Sequence, residues 1–308
     1  MSTDVKRAGW RLKLSGAALA VSIFAVIWFA AAALGTKYGL WGWQFGLGKM
    51  FIAWGPFIAV PAVLLGLVAF VLGFLKFPRT QPVILGLAAL LIASMLLFRL
   101  LAFGAQGQKV PPIHDIQTDW NAPIQFSEAL IAQRESWAAR HCDPTPDQPC
   151  ANPVSNDPII THPRLANTPL FGRRVAEVQK EAERDRTVDG ETIPAAYDAP
   201  IEPLYFDQSP DEIAQLALNL AEARGWEIFT PPDMGSDVEQ TMLEATATSG
   251  WFGFKDDVAI RITAVEGATR VDMRSISRVG LSDLGANAKR VSGFLSELGD
   301  RADGRTTR

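Results

Sequence analysis

Apolar residues are distributed in two ways along this chain. Up to residue 103 they form unbroken blocks; beyond it they alternate with polar residues or recur at helical spacing. Residues 14–34 and 50–75 carry no charge, and 82–98 carry none before Arg99 interrupts a run that resumes to Phe103. A hydrocarbon core of about 30 Å is crossed by about 20 helical residues. The blocks therefore predict a membrane domain over 1–103, with spans at 14–34, 50–75 and 82–103. Arg99 lies near the end of the third, where a long side chain reaches the headgroups. The competing reading is a cleaved leader followed by two spans. Against it, the first block is long for a leader and is followed by the bulky GTKYGLWGWQF.

Within the second block, Gly55, Ala59, Ala62, Gly66, Ala69 and Gly73 fall on one helical face. Small residues allow close helix approach in lipid, so this face predicts a seam against the other two spans, with a homo-oligomer interface as the alternative. Pro56 and Pro61 are expected to bend that end of the span.

Past residue 200 the patterns shorten. Ser209-Pro210-Asp211-Glu212 is a capping box with Pro at the first helical position. Ile213, Leu216, Ala217 and Leu220 then line one face up to Gly225. Residues 226–230 read as a strand. Leu243, Ala245 and Ala247 alternate with Glu244, Thr246 and Thr248, and Val258, Ile260 and Ile262 alternate with Ala259, Arg261 and Thr263. Glu266-Gly267 supplies a turn. Val271 and Met273 continue inward, with Arg270, Asp272 and Arg274 outward, and the alternation is expected to slip at Ser275-Ile276. Ser282 is the expected N-cap of a final helix striped by Leu284, Val291, Leu295 and Leu298, with Gly299 at its C-cap.

The order helix, four strands, helix predicts an α+β domain, an antiparallel sheet with helices on one face. Its expected core is Leu216, Leu220, Trp226, Ile228, Val258, Ile260, Ile262, Val271, Met273, Val291 and Leu295. Between the spans and this compact core at about 205–300, helical patterns are visible at 126–140 and 171–186, with a Pro/Asn/Asp-rich loop over 143–169.

Charge separates the two regions further. Nine of the 29 Lys and Arg but one of the 33 Asp and Glu fall in residues 1–103, a balance of +8 that leaves −12 for the remainder. An acidic extramembrane region argues against nucleic acid as a partner. Lys6, Arg7, Arg11 and Lys13 precede the first span, and Lys76 and Arg79 lie between the second and third. The positive-inside rule places these segments in the cytoplasm, and residues 104–308 outside, in the periplasm of an inner-membrane protein. Cys142 and Cys150, the only cysteines, are in that location expected to form a disulfide. Free thiols, or a metal site with His141, are the alternatives, but no metal-ligand spacing links the cysteines with His114, His141 and His162.

GWEIF, EATATSGWFGFKDDVAIRI and VDMRSISRVGLSDLGANAKRV resemble the signature blocks of the DUF1499 family, and PPIHDIQTD at 111–119 resembles its opening motif. The likeness spans about 110–298. It implies no established reaction and brings no catalytic residues or cofactor. The element order is also similar to that of helix-grip domains, a likeness of fold alone.

No P-loop, GxGxxG, HExxH or GxSxG occurs. The polar cluster to weigh is Lys255, Asp256, Asp257, Arg274, Ser275, Ser277, Arg278, Ser282 and Asp283. Adjacent carboxylates on a strand point to opposite faces, so Asp256 and Asp257 make a poor acid–base pair. The cluster is read first as ion pairs that fix the sheet-to-helix connection. As a ligand site it would comprise Asp257, Arg274 and Arg278, which would grip an anionic group, with Ser282 beside the N–H groups of the last helix. Trp251, Phe252 and Phe254 are expected to plug the core or to touch lipid or a partner. The expected function is non-catalytic binding or scaffolding, with membrane lipids, an envelope component or an envelope protein as partner, no cofactor and no metal. A periplasmic envelope hydrolase is the alternative.

Overall fold

Length and uninterrupted hydrophobicity fix the first part of the molecule. In the computed structural model, which describes residues 9–142, 150–188, 190–235 and 239–304, three helical segments are long and apolar enough to cross a membrane: Gly9–Lys37, Gln44–Gly73 and Thr80–Lys109. The chain divides into two units, Met1–Gln106 with Trp251–Gly253, and Gly107–Gly250 with Phe254–Arg308.

In the first unit, α1 is Gly9–Lys37, α2 is Gly55–Gly73 and α3 is Thr80–Lys109. A π-helical segment, Gln44–Ala53, leads through Trp54 into α2. Pro56 falls at the restart, where its missing N–H costs no helical bond. The six small residues are all buried within the chain. A Cβ on Gly66 would come within 2.8 Å of the backbone of Leu90, and one on Gly86 within 2.6 Å of that of Phe70, so α2 and α3 approach to backbone contact. The stripe is thus covered by the chain's own helices. Ser22 on α1 donates to the Ala89 carbonyl at 2.9 Å. Arg11, buried, donates to the carbonyls of Gly73 (3.1 Å), Lys76 and Phe77 (3.3 Å). The guanidinium thus binds the last carbonyl of α2 and two in the loop that follows it.

The second unit is built on one antiparallel sheet. Its strands are β1 (Asp115–Gln117), β4 (Leu204–Phe206), β5 (Glu227–Thr230), β6 (Gln240–Thr248), β7 (Lys255–Val265) and β8 (Ala268–Ser277). A separate hairpin pairs β2 (Arg186–Val188) with β3 (Glu191–Ile193). The order is β1-β8-β7-β6-β5, with β4 beside β1 on the same edge of β8. The helices are α4 (Glu128–His141), α5 (Val175–Ala182), α6 (Pro210–Ala223) and α7 (Ala286–Ala302).

The period-2 pattern sorts the strands' side chains into two faces. Leu243, Val258, Ile260, Ile262, Val271 and Met273 lie together under α6 and α7, joined by Leu220, Val291, Phe294, Leu295 and Leu298. Every residue expected in the core belongs to this cluster or packs on it. The capping box at Ser209/Glu212 is formed.

Several details depart from the sequence reading. A third helix, α4, covers the opposite face of the sheet, where Leu130 joins Ile124, Phe126, Ala259 and Ile276. The register does not slip at Ser275-Ile276: β8 pairs with β7 without interruption from Ala268 to Ser277. Its serines tolerate the core face because Asn287 of α7 bonds both, accepting from Ser275 at 2.7 Å and donating to Ser277 at 2.9 Å. The last helix starts after Ser282. That hydroxyl accepts from Leu284 N at 3.1 Å within a turn, and it is Asp283 that accepts from Asn287 N in the helix's first turn, at 3.0 Å. The helix runs through Gly299, and the left-handed residue after it is Gly304, with φ 71°. The helical pattern at 171–186 condenses to α5 alone. Trp251 is exposed, so it plugs no core.

Candidate functional site

Alternation sends the other half of each strand to the face under α4, where charged residues sit among Ala259, Ile276 and the other apolar contacts of that helix. Asp257 of β7, 1% exposed, lies between two guanidiniums. Arg278 donates to it through Nε and Nη2 at 2.7–3.0 Å, and Arg134 of α4 through Nη1 at 2.9 Å. Thr246 of β6 donates to the same carboxylate at 3.0 Å. Arg278 also reaches Gln133 and Thr246, and Arg134 the carbonyls of Asn152 and Ser277. Burial is the largest influence on Arg134 and pulls its pKa below the usual value; Asp257 opposes it.

Arg274 is 0% exposed. It holds Asp115 of β1 with two bonds, at 3.0 and 2.6 Å, and donates to the carbonyls of Ile124 (2.6 Å) and Ser155 (2.7 Å). The rings of Trp120 and Phe126 lie 5.9 and 5.6 Å from its guanidinium. Glu244 accepts from the N–H and hydroxyl of Ser127, the N-cap of α4, at 2.6 and 2.7 Å.

Of the expected ligand residues, the structure brings Asp257 and Arg278 together and places Arg274 farther along the same face, while Ser282 lies in the turn before α7. All three charged groups are closed in by the chain. A headgroup would have to displace Asp115 and two carbonyls to reach Arg274, or Asp257 to reach Arg278, and Asp257 is itself buried. Asp256, on the apolar face, pairs with Arg290 of α7, so the two adjacent carboxylates do part to opposite faces.

Cys142, at the end of α4, is joined to Cys150 by a disulfide with Cα atoms 5.8 Å apart. The intervening DPTPDQP lies outside the described residues. Just past Cys150 come Asn152 and Ser155, whose carbonyls bind Arg134 and Arg274. Among the described residues no group of His, Cys, Asp and Glu is arranged to hold a metal ion. His141 stacks on Trp137, ring centroids 4.3 Å apart, and burial lowers the pKa of His114.

The charged face is left open toward β4. Tyr205 of β4 stands opposite Arg270 of β8 in register. A cavity of about 620 Å³ opens there, between the segment after β1, α5 and residues 200–205. Gln179 of α5, buried, braces it. It accepts from the indole N–H of Trp120 at 2.9 Å and donates to the Gln117 carbonyl (2.9 Å) and to Glu183 (2.7 Å). Arg270 donates to Asp119 (2.7 Å) and Asp272 (2.8 Å), bonds that raise its pKa. Burial works against Asp119, but Arg270 overrides it and holds that carboxyl below its ordinary value. Burial pushes Glu183 up. Lys180, Arg184, Glu183 and Glu202, also in the lining, form no ion pair among the described residues.

Sequence reading missed this groove because its residues come from four distant stretches. The one signal available was Arg270, an outward charge on an alternating strand, with Trp120 just past the opening motif.

The DUF1499 family model, described as a protein of unknown function, matches residues 115–298. No curated protein and no solved structure matches the chain.

Proposed function

The chain belongs to the DUF1499 family, and from that premise we propose that its second unit is a non-catalytic binding module held at a membrane by three spans, taking its ligand in the groove between Trp120, Gln179 and Tyr205. The observation that carries this reading is the contrast in accessibility. The sheet's internal charges are paired and enclosed, while the groove offers aromatic rings and charged groups of both signs to solvent. The hydrolase alternative loses the residue it leaned on, since Asp257 is held by two arginines out of reach.

We further propose an inner-membrane protein with its N-terminus in the cytoplasm and the binding module in the periplasm, working beside membrane lipids or an envelope protein. The Lys and Arg flanks of the spans support this orientation, and a disulfide suits an oxidising compartment. Alkaline phosphatase fused after Arg308 is expected to be active; strong signal from a cytoplasm-dependent reporter there would reverse the orientation.

Binding itself is tested by native mass spectrometry of the full chain purified in lipid nanodiscs. A co-purifying species is expected, and it should be lost on Tyr205→Ala. Wild-type protein that carries nothing, or an envelope ester, amide or phosphoester turned over by the purified chain, overturns the reading.

A further inference from the structure

The groove's chemistry narrows what it can hold. Three carboxylates, Asp119, Glu183 and Glu202, line it with three cations, Lys180, Arg184 and Arg270. The balance disfavours a strongly anionic ligand, because each phosphate oxygen drawn to a cation meets a nearby carboxylate, and Arg270 already holds Asp119 and Asp272. The same six charges disfavour a lipid chain, which would leave them desolvated and unmatched. An added peptide strand is disfavoured on different grounds: Pro200 and Pro203, in the wall, have no N–H to give.

What remains is a ligand with apolar faces and many groups that both donate and accept. The groove supplies the complement. Tyr205 is 61% exposed, a flat ring beside open space. Trp120 is fixed in its plane by the bond from its indole N–H to Gln179, and Ile201 with the two prolines adds a further apolar wall. Carboxylates accept from hydroxyls and guanidinium or ammonium groups donate to them. The Nε of Arg270, buried in the wall, has no hydrogen-bond partner among the described residues. A volume of about 620 Å³ falls within the range of about 300–1,000 Å³ usual for small-ligand sites.

We propose that this groove binds a neutral saccharide, with a pyranose ring stacked on Tyr205 and Trp120 and its hydroxyls shared among Asp119, Glu183, Glu202, Lys180 and Arg184. The proposal rests on the binding-module reading and names its ligand class.

The test uses the full chain in phosphatidylcholine nanodiscs, which avoids glycoside detergents. Maltohexaose, cellohexaose and chitohexaose are titrated by calorimetry, and saturation-transfer NMR reports which ligand protons touch the protein. At least one is expected to bind, with transfer strongest at ring C–H protons. Tyr205→Ala should weaken it tenfold or more without moving the thermal midpoint. Glu202→Gln should weaken it less, and inorganic phosphate should not compete. No binding by any of the three, unchanged affinity in Tyr205→Ala, or displacement by phosphate overturns the proposal. A non-saccharide species found on the wild-type chain by native mass spectrometry would sink the saccharide while leaving the binding reading standing. An empty groove would sink both.

Discussion

The two faces of the sheet are made by the same strands and held by opposite physics. Under α6 and α7 the side chains are Leu, Ile, Val, Met and Phe, and cohesion accumulates with buried apolar area. Under α4 it depends on pairs: Asp257 with Arg134 and Arg278, Asp115 with Arg274, Asp272 with Arg261 and Arg270. Apolar contacts fail gradually, one methylene at a time. A buried ion pair fails all at once, because removing either partner leaves the other charged, dry and uncompensated.

The sharpest test removes one charge. Asp257→Ala strands two guanidiniums and is expected to cost about 3–5 kcal/mol in denaturant unfolding of the full chain, as does Arg274→Met, which strands Asp115. The double change Arg274→Met with Asp115→Leu should recover most of that loss. If the double costs the sum of its singles, the pairs are not acting as pairs and the comparison collapses. On the apolar face, Ile260→Ala is expected to cost about 2–5 kcal/mol; a loss under about 0.5 kcal/mol would put Ile260 at the surface and refute the register. Reducing the Cys142–Cys150 disulfide should cost roughly 2–3 kcal/mol for so short a loop. Because that bond ties the end of α4 to the segment carrying Asn152 and Ser155, amide exchange should rise first on the charged face. Equal rises on both faces would show that the two are not separable.

The smallest effect concerns Asp283, in the turn before α7. Burial pushes Asp283 up to about 6, against the bonds it accepts from Asn287 and Gly285. The folded form then keeps a proton that the unfolded chain has already lost. This group's contribution to stability therefore falls as pH rises from about 4 to about 6 and is level above. Thermal midpoints of Asp283→Asn and wild type should differ in slope across that window and run parallel beyond it.

Much of the apolar face was readable in the sequence, since Val258, Ile260 and Ile262 advertise their orientation by period alone and Ser209-Pro210-Asp211-Glu212 marks its helix. The charged face was half readable. Arg270, Asp272 and Arg274 alternate as outward residues should, and period 2 cannot tell water from a covering helix. What covers them is α4, legible as the helical pattern at 126–140, but its buried side includes Arg134, so nothing in the pattern set it on this face of the sheet. The groove was less legible still: Trp120, Gln179, Tyr205 and Arg270 meet only once β1 and β4 have both docked on the edge of β8.

That docking sets the order in which the unit can be completed. Asp115 and Arg274 are 159 positions apart, and the strand they share an edge with is the last one made. A chain made from its N-terminus therefore carries β1, with Asp115, and later β4 until β8, the surface they close upon, has followed them. The topology makes assembly of this unit a late, long-range event. It also makes β8 and α7 the part whose loss is felt farthest away along the chain, at β1.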